Sequence, residues 1–420
     1  MQMPFNLTFD SAKLKKSDFW LAISLGLLAI SLFVSKSGLT TFFLTTLLLC
    51  IASKSYRGIW LKDKTVLVIS SLYFLAIAAG LFSEAGLAAS WSTLRMWPYA
   101  LTAIIAAVAY EKKYHLKMKW AFYVGLTIGG IKALTVLASR WDPESLQFIR
   151  INSFWDIGRW GTFTSVFCIG IFPHIILKRT YDKIFFLKVF LFLFSFLLLF
   201  MSNTRAPLLA CLICLGIMTL IHRKGLIAFS MVLLGMGLFT LAYPGYYERF
   251  TSSFSVAQNA DGQLVSKNIS NAGRLNMWKV SLDYWQNQPL TPSGFDHYKE
   301  PLKKFLATQD QSYIEKYTLV EFSYNDNHST YLFFLIQVGL FFSLILWAVV
   351  FYLLLKNTPK LWKYFDERPL FYSAYFIVVA HLILGLFYSS LVSFEAMTFF
   401  PALYLIDRIS TKNSSNQNAL

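Results

Sequence analysis

The sequence predicts an all-α polytopic membrane protein with about twelve transmembrane helices. Of its 420 residues, 56% are hydrophobic and only 14% are charged, and the mean hydropathy is +0.51. A soluble domain carries about 25% charged residues. The chain also repeats apolar runs close to the roughly 17–25 residues that cross a bilayer as a helix. These observations exclude an ordinary soluble domain.

Nine predicted spans precede one long polar segment, and three follow it. In chain order they are residues 19–34, 38–53, 65–83, 96–110, 120–139, 162–177, 184–201, 207–221, 226–243, 330–355, 370–388 and 391–406. Several are only 15 or 16 residues long, so we expect their ends to shift by a few positions. The sequence thus divides into helices at 1–243, a large loop at 244–329, helices at 330–409 and a disordered tail at 410–420.

The distribution of positive charge predicts the orientation. Twenty-two Lys and Arg residues fall at the N-terminus, in alternate loops and in the tail, against six in the other short loops. Cytoplasmic loops carry the excess of Lys and Arg. Both termini are therefore expected in the cytoplasm and the large loop outside. This placement explains the net charge of +16 without a nucleic-acid partner.

The large loop is predicted to contain two helices. Over residues 271–286, Leu275, Trp278, Leu282 and Trp285 recur at three- and four-residue intervals, as in an amphipathic helix. A second helix is expected at residues 300–309, with a basic face.

Metal and cofactor sites find little support. All four cysteines lie within predicted spans, and the pair Cys211 and Cys214 favours packing over metal binding or redox chemistry. Asp142 and Glu144 flank a proline at the start of an outer loop, a weak metal pattern. We therefore expect no metal ion and no cofactor.

Two outer residues have the chemistry of a transferase site. Arg205 follows an apolar span, and its planar guanidinium suits bidentate contacts with phosphate, although anchoring to a lipid headgroup is the alternative. His328 lies where the polar segment returns to an apolar run, a partly desolvated position that suits proton transfer, although a polar residue opening a helix is the simpler explanation. Arginines can stabilise a diphosphate leaving group, and histidine can deprotonate an attacking hydroxyl.

Three further arginines are cationic candidates. Arg274 lies at the start of the predicted loop helix, and Arg150 and Arg159 lie in an earlier outer segment. Arg274 lies one turn from Trp278, and stacking on that ring is an alternative role for it. Arg150 and Arg159 could equally be ordinary interfacial charges.

Three segments, in order, resemble the O-antigen ligase / Wzy C-terminal-domain superfamily. Residues 200–210 read FMSNTRAPLLA, residues 272–278 read AGRLNMW, and residues 327–332 read NHSTYL with Gly339 downstream. They are similar to the family's Ser/Thr-rich turn ending in Arg, its loop helix opening with Arg, and its His-containing segment. Ser329, Gln337 and Phe342 depart from the residues usual in the family, and the turn at residues 289–294 lacks one glycine.

The resemblance implies a GT-C-like glycosyltransferase in the bacterial inner membrane, with its active site on the periplasmic face. His328 would be the catalytic base, Arg205 and Arg274 would bind the diphosphate, and Arg150, Arg159 and Trp278 would be auxiliary substrate-binding residues. The implied reaction is a metal-independent, inverting transfer from an undecaprenyl-diphosphate-linked glycan to lipid A–core. An O-antigen polymerase or a protein O-oligosaccharyltransferase of the same superfamily is the alternative. A twelve-span transporter or flippase of lipid-linked glycans is the rival from another class. Such carriers usually place charged residues within their spans, and few charges lie within the predicted spans here.

Overall fold

The structure of the protein is a computed structural model that describes residues 16–140, 150–177, 181–242, 256–258, 264–266, 269–318, 322–324, 326–363 and 368–417. The acidic pair Asp142 and Glu144 lies outside these residues, as does Asn325.

Helices occupy every segment that the sequence predicts as a span. The first twelve are α1 (Lys16–Val34), α2 (Lys36–Ala52), α3 (Lys54–Trp60), α4 (Lys64–Leu81), α5 (Leu87–Met96), α6 (Thr102–Glu111), α7 (His115–Arg140), α8 (Ile157–Ile171), α9 (Pro173–Ile176), α10 (Lys183–Ser202), α11 (Arg205–Ile221) and α12 (Leu226–Ala242). The later ones are α13 (Ile269–Asn287), α14 (Lys299–Ala307), α15 (Gln311–Thr318), α16 (Thr330–Phe333), α17 (Leu340–Asn357), α18 (Arg368–Phe387) and α19 (Ala396–Gln417).

Within the described part of the chain, six helices are long and apolar enough to cross a membrane, or seven if the bent pair α2 and α3 forms one span. The other predicted spans hold helices that are shorter, interrupted or partly polar. The helix α12, for example, has 17 residues and is about 25 Å long, less than the roughly 30 Å of a bilayer core. The chain is thus a helical, multi-pass membrane protein, and twelve crossings remain a prediction.

The helix α8 lies at the centre of the bundle, because almost all of its side chains are buried. It packs against α10, α11 and α18, and α18 packs against α19. Close approach near the start of α8 requires a glycine. A Cβ on Gly161 would come within 2.8 Å of the Cβ of Thr204, in the turn between α10 and α11.

The large polar segment contains both predicted loop helices, as α13 and α14. Val280 and Tyr284 of α13 pack with Leu302 of α14 and with Ile336. Ile336 belongs to a π-helical turn, Phe334–Val338, that separates α16 from α17. The loop helices therefore rest on the interruption in the predicted span at residues 330–355.

Two findings differ from the sequence predictions for the polar segments. Strands Val256–Gln258 and Leu264–Ser266 pair antiparallel, with Val256 opposite Ser266 and Gln258 opposite Leu264. In addition, α19 extends to Gln417, although the sequence predicts disorder from residue 410. Ile409 and Ser410 are buried, so packing holds the start of this tail in the helix.

Candidate active site

His328 lies in a short polar loop that precedes α16. Its backbone N–H donates to Oδ1 of Asp326 at 2.9 Å, closing a turn through the aspartate side chain. His328 itself has φ = 49°, in the left-handed region that residues other than glycine seldom occupy. Such strained backbone persists only where its surroundings enforce it and is common at functional sites.

The same carboxylate also faces the imidazole ring. Oδ2 of Asp326 lies 3.4 Å from Nδ1 of His328, and both side chains are about one-third exposed. Ser389 donates from its hydroxyl to Oδ1 of Asp326 at 2.7 Å. The contact with Nδ1 is not aligned as a hydrogen bond, but catalytic contacts are often long before substrate binds. The carboxylate therefore lies beside Nδ1, on the side of the ring away from Nε2.

The histidine loop is fixed to the end of α18. Ser329 caps α16 and donates from its hydroxyl to the carbonyl of Gly385 at 3.3 Å. Thr330 donates to the carbonyl of Tyr388 at 2.9 Å, and Tyr331 donates to that of Leu382 at 2.8 Å. His328 is therefore held by regular elements rather than by a free loop.

Arg205 is the first residue of α11 and follows a tight turn. Asn203 ends α10 in the left-handed conformation with φ = 50°, and the hydroxyls of Ser202 and Thr204 lie 2.7 Å apart. Nη1 of Arg205 donates to Oδ1 of Asn271 at 3.3 Å. The turn thus meets the start of the loop helix α13.

The helix α13 connects the arginine turn to the histidine loop. Asn271, Arg274 and Trp278 follow one another at three- and four-residue spacing, so they share one face of the helix. The ring of Trp278 packs against that of Phe387, with centroids 6.4 Å apart. Phe387 ends α18 two residues before Ser389, the partner of Asp326. One helix face therefore carries Arg274 and contacts the surroundings of both Arg205 and His328.

Arg150 lies against the same turn as Arg205. Its Nε donates to the carbonyl of Ser202 at 3.3 Å, and its Nη2 donates to that of Asn203 at 3.5 Å. Two guanidinium groups, from distant parts of the sequence, thus flank the residues between α10 and α11.

Arg159 has a different setting, because carboxylates of the protein match its charge. Nη1 of Arg159 lies 2.7 Å from Asp156, and its Nε lies 3.7 Å from Oε1 of the fully buried Glu395. Burial opposes the charge on Arg159, but the negative groups around it outweigh burial and raise its pKa. Arg159 is therefore paired with carboxylates of the protein, and its role in binding substrate phosphate stays a prediction.

The structure brings Asp326, Ser389 and Glu395 into this region, and the sequence alone did not single them out as functional. The position of Asp326 two residues before His328 is the one signal that could have identified it, since this spacing suits a side-chain turn. Within the described part of the chain, no group of three or more His, Cys, Asp or Glu side chains could hold a metal ion.

Residues 190–348 match a family model described as O-antigen ligase. The matched region runs from α10 into α17 and contains Arg205, Arg274, Trp278 and His328. It confirms the resemblance to the O-antigen ligase / Wzy C-terminal-domain superfamily, whose members are glycosyltransferase-like ligases and polymerases acting on lipid-linked glycans. No curated protein sequence matches the chain.

Proposed function

We propose that this chain, which carries an O-antigen ligase domain over residues 190–348, is an O-antigen ligase of the bacterial inner membrane. It would transfer a glycan from undecaprenyl diphosphate to a sugar of lipid A–core on the periplasmic face. The observation that carries the proposal is the helix α13, which links the arginine turn before α11 to the loop of His328 and Asp326.

The arginines support the donor half of the reaction. A diphosphate leaving group develops negative charge as its bond to the sugar breaks, and fixed cations stabilise that charge. Arg205 would bind the diphosphate together with Arg274, which lies on the face of α13 that Asn271 shares. Arg150, which donates to the carbonyls of Ser202 and Asn203 in the same turn, would add to the positive field.

The histidine supports the acceptor half. Nε2 of His328 would take the proton from the acceptor hydroxyl as its oxygen attacks the anomeric carbon. The bond between that carbon and the diphosphate oxygen would break, and its electron pair would leave with the diphosphate. A single displacement of this kind inverts the anomeric configuration and involves no metal ion. Asp326 would hold the ring in position and stabilise the imidazolium that forms.

A strain that lacks the gene tests the function. Its lipopolysaccharide is separated on a gel while lipid-linked precursors are extracted in parallel, and the strain is complemented with the wild-type gene or with His328→Asn. We expect the deletion strain to lose long glycans from lipid A–core and to accumulate lipid-linked polymer. The wild-type gene should restore the long glycans, whereas the His328→Asn gene should not. Core that carries a single repeat unit would instead indicate a polymerase, and an unchanged profile would favour the transporter.

A further inference from the structure

A cavity lies inside the bundle, away from the candidate active site. It has a volume of about 330 Å³ and is bounded by α1, α2, α6, α7, α8, α18 and α19. Its walls are largely aliphatic and aromatic, with Leu32, Phe33, Phe43, Phe163 and Met397 among them. None of Arg205, Arg274 and His328 contributes to it.

The cavity and the histidine loop contact different parts of the helix α18. Leu370 and Ile377, near its start, line the cavity, whereas Gly385, near its end, contacts Ser329 of the histidine loop. At about 1.5 Å per residue, Leu370 and Gly385 are roughly 22 Å apart along the helix. The cavity therefore reaches the end of the bundle opposite His328, which the charge pattern of the sequence assigns to the cytoplasmic side.

Three hydroxyl groups in the walls donate hydrogen bonds within the protein. Thr102 donates to the carbonyl of Tyr99 at 2.5 Å, Ser373 to that of Gly170 at 2.6 Å, and Thr398 to that of Glu395 at 2.8 Å. Because these hydroxyls donate internally, the body of the cavity suits an occupant without polar groups along its length, such as a hydrocarbon chain.

The end of the cavity nearest the start of α18 is basic. His115 and Lys119, from the first turns of α7, line this end together with His174. Lys119 supplies a positive charge at this end. An apolar chamber with a lysine at one end complements an amphiphile with one long chain and an anionic head.

We infer that the cavity binds an anionic phospholipid from the cytoplasmic leaflet, with one acyl chain inside and its phosphate at His115 and Lys119. The volume is at the lower end of the roughly 300–1,000 Å³ typical of ligand pockets, which favours a single chain. The lipid would fill a void beside the contact of α8 with α18. This site is independent of the proposed transfer reaction.

Native mass spectrometry of the protein tests the inference after reconstitution in vesicles of phosphatidylglycerol and phosphatidylcholine in equal amounts. We expect one phosphatidylglycerol to be retained in preference to phosphatidylcholine. Ala106→Phe, which fills the cavity, should abolish that retention, whereas Val124→Phe, on the exposed face of α7, should preserve it. Lys119→Gln should weaken retention about fivefold, as expected for one basic residue at an anionic headgroup, and Lys117→Gln should have little effect.

Retention of both lipids to the same extent would overturn the inference, and so would equal retention by Ala106→Phe and Val124→Phe. Retention of a polyprenyl phosphate in place of the phospholipid, measured in vesicles that contain both, would also overturn it. The surface change Lys119→Gln keeps the test valid if Ala106→Phe fails to fold.

Discussion

Oδ2 of Asp326 lies 3.4 Å from Nδ1 of His328, while Oδ1 accepts the backbone N–H of the same histidine at 2.9 Å. One carboxylate thus constrains both the ring and the backbone of the proposed base. The hydroxyl of Ser389, two residues after the end of α18, donates to Oδ1 of Asp326 at 2.7 Å. The proposed proton acceptor is therefore positioned by contacts that are present before any substrate binds.

Asp326→Asn should lower the rate of transfer about tenfold to a hundredfold, because a small misplacement of a catalytic group has an effect of this size. The amide still accepts the backbone N–H of His328 but no longer offers a carboxylate to Nδ1. Single-turnover kinetics should show the loss in the chemical step with little change in KM. Asp283→Asn, in the same outer region but bonded to Lys279 and Tyr313, is the matched control. Wild-type turnover by Asp326→Asn would remove the positioning role.

Arg205→Lys should reduce donor affinity and turnover, although the positive charge is retained. Lysine presents a point charge and loses the planar fork that binds two phosphate oxygens at once. Binding of the lipid-linked donor and the transfer rate are measured side by side with Arg95→Lys, a substitution elsewhere on the outer side. Equal activity of Arg205→Lys and wild type would indicate a headgroup anchor instead of a diphosphate ligand.

Gly161→Ala should destabilise the protein by about 1–3 kcal/mol, the usual effect of overpacking. The added Cβ would lie 2.8 Å from the Cβ of Thr204, so rotation of the threonine side chain cannot relieve the clash. Thermal unfolding in detergent should show a lower midpoint, accompanied by weaker transfer because the turn before Arg205 moves. Gly158→Ala, whose nearest contact is an ordinary 3.4 Å, should leave both unchanged. Unaltered unfolding of Gly161→Ala would show that this close approach is absent.

Arg159→Leu should destabilise the protein by about 3 kcal/mol, because the fully buried Glu395 would lose its cationic partner. The effect lies at the lower end of the range for buried pairs since Arg159 is 28% exposed. The double variant Arg159→Leu with Glu395→Leu should recover much of the loss. Stability is measured as the midpoint of thermal unfolding in detergent. A midpoint that is lower in the double variant than in Arg159→Leu would argue against a simple ion-pair role.

Much of the architecture could be predicted from the sequence. Every apolar run predicted as a span contains a helix, although α3 and α5 lie outside these runs, and residues 271–286 and 300–309 are confirmed as the helices α13 and α14. Hydropathy could not show that the run at residues 330–355 is interrupted. There Gly339 adopts φ = 106° and Ile336 accepts the backbone N–H of Ser293, so long-range contacts set the break.

The site was less accessible to sequence reasoning, because its partners are distant in the chain. The contact of Arg205 with Asn271 joins residues 66 positions apart, and that of Asp326 with Ser389 joins residues 63 positions apart. The pairing of Arg159 with Glu395 could not be anticipated either, since Glu395 was expected within the last span. The roles of His328, Arg205, Arg274, Arg150, Arg159 and Trp278 remain predictions.

Transfer by the purified protein tests the central claim, that His328 activates the acceptor. Wild type and His328→Asn are reconstituted in vesicles with an undecaprenyl-diphosphate-linked glycan and lipid A–core, and the glycosylated product is measured over time. Asparagine suits the left-handed backbone at this position, so the variant should fold normally while lacking the base. The account predicts product from wild type, also in the presence of EDTA, and a rate about 10²–10⁴-fold lower for His328→Asn. Transfer by His328→Asn at the wild-type rate would contradict it.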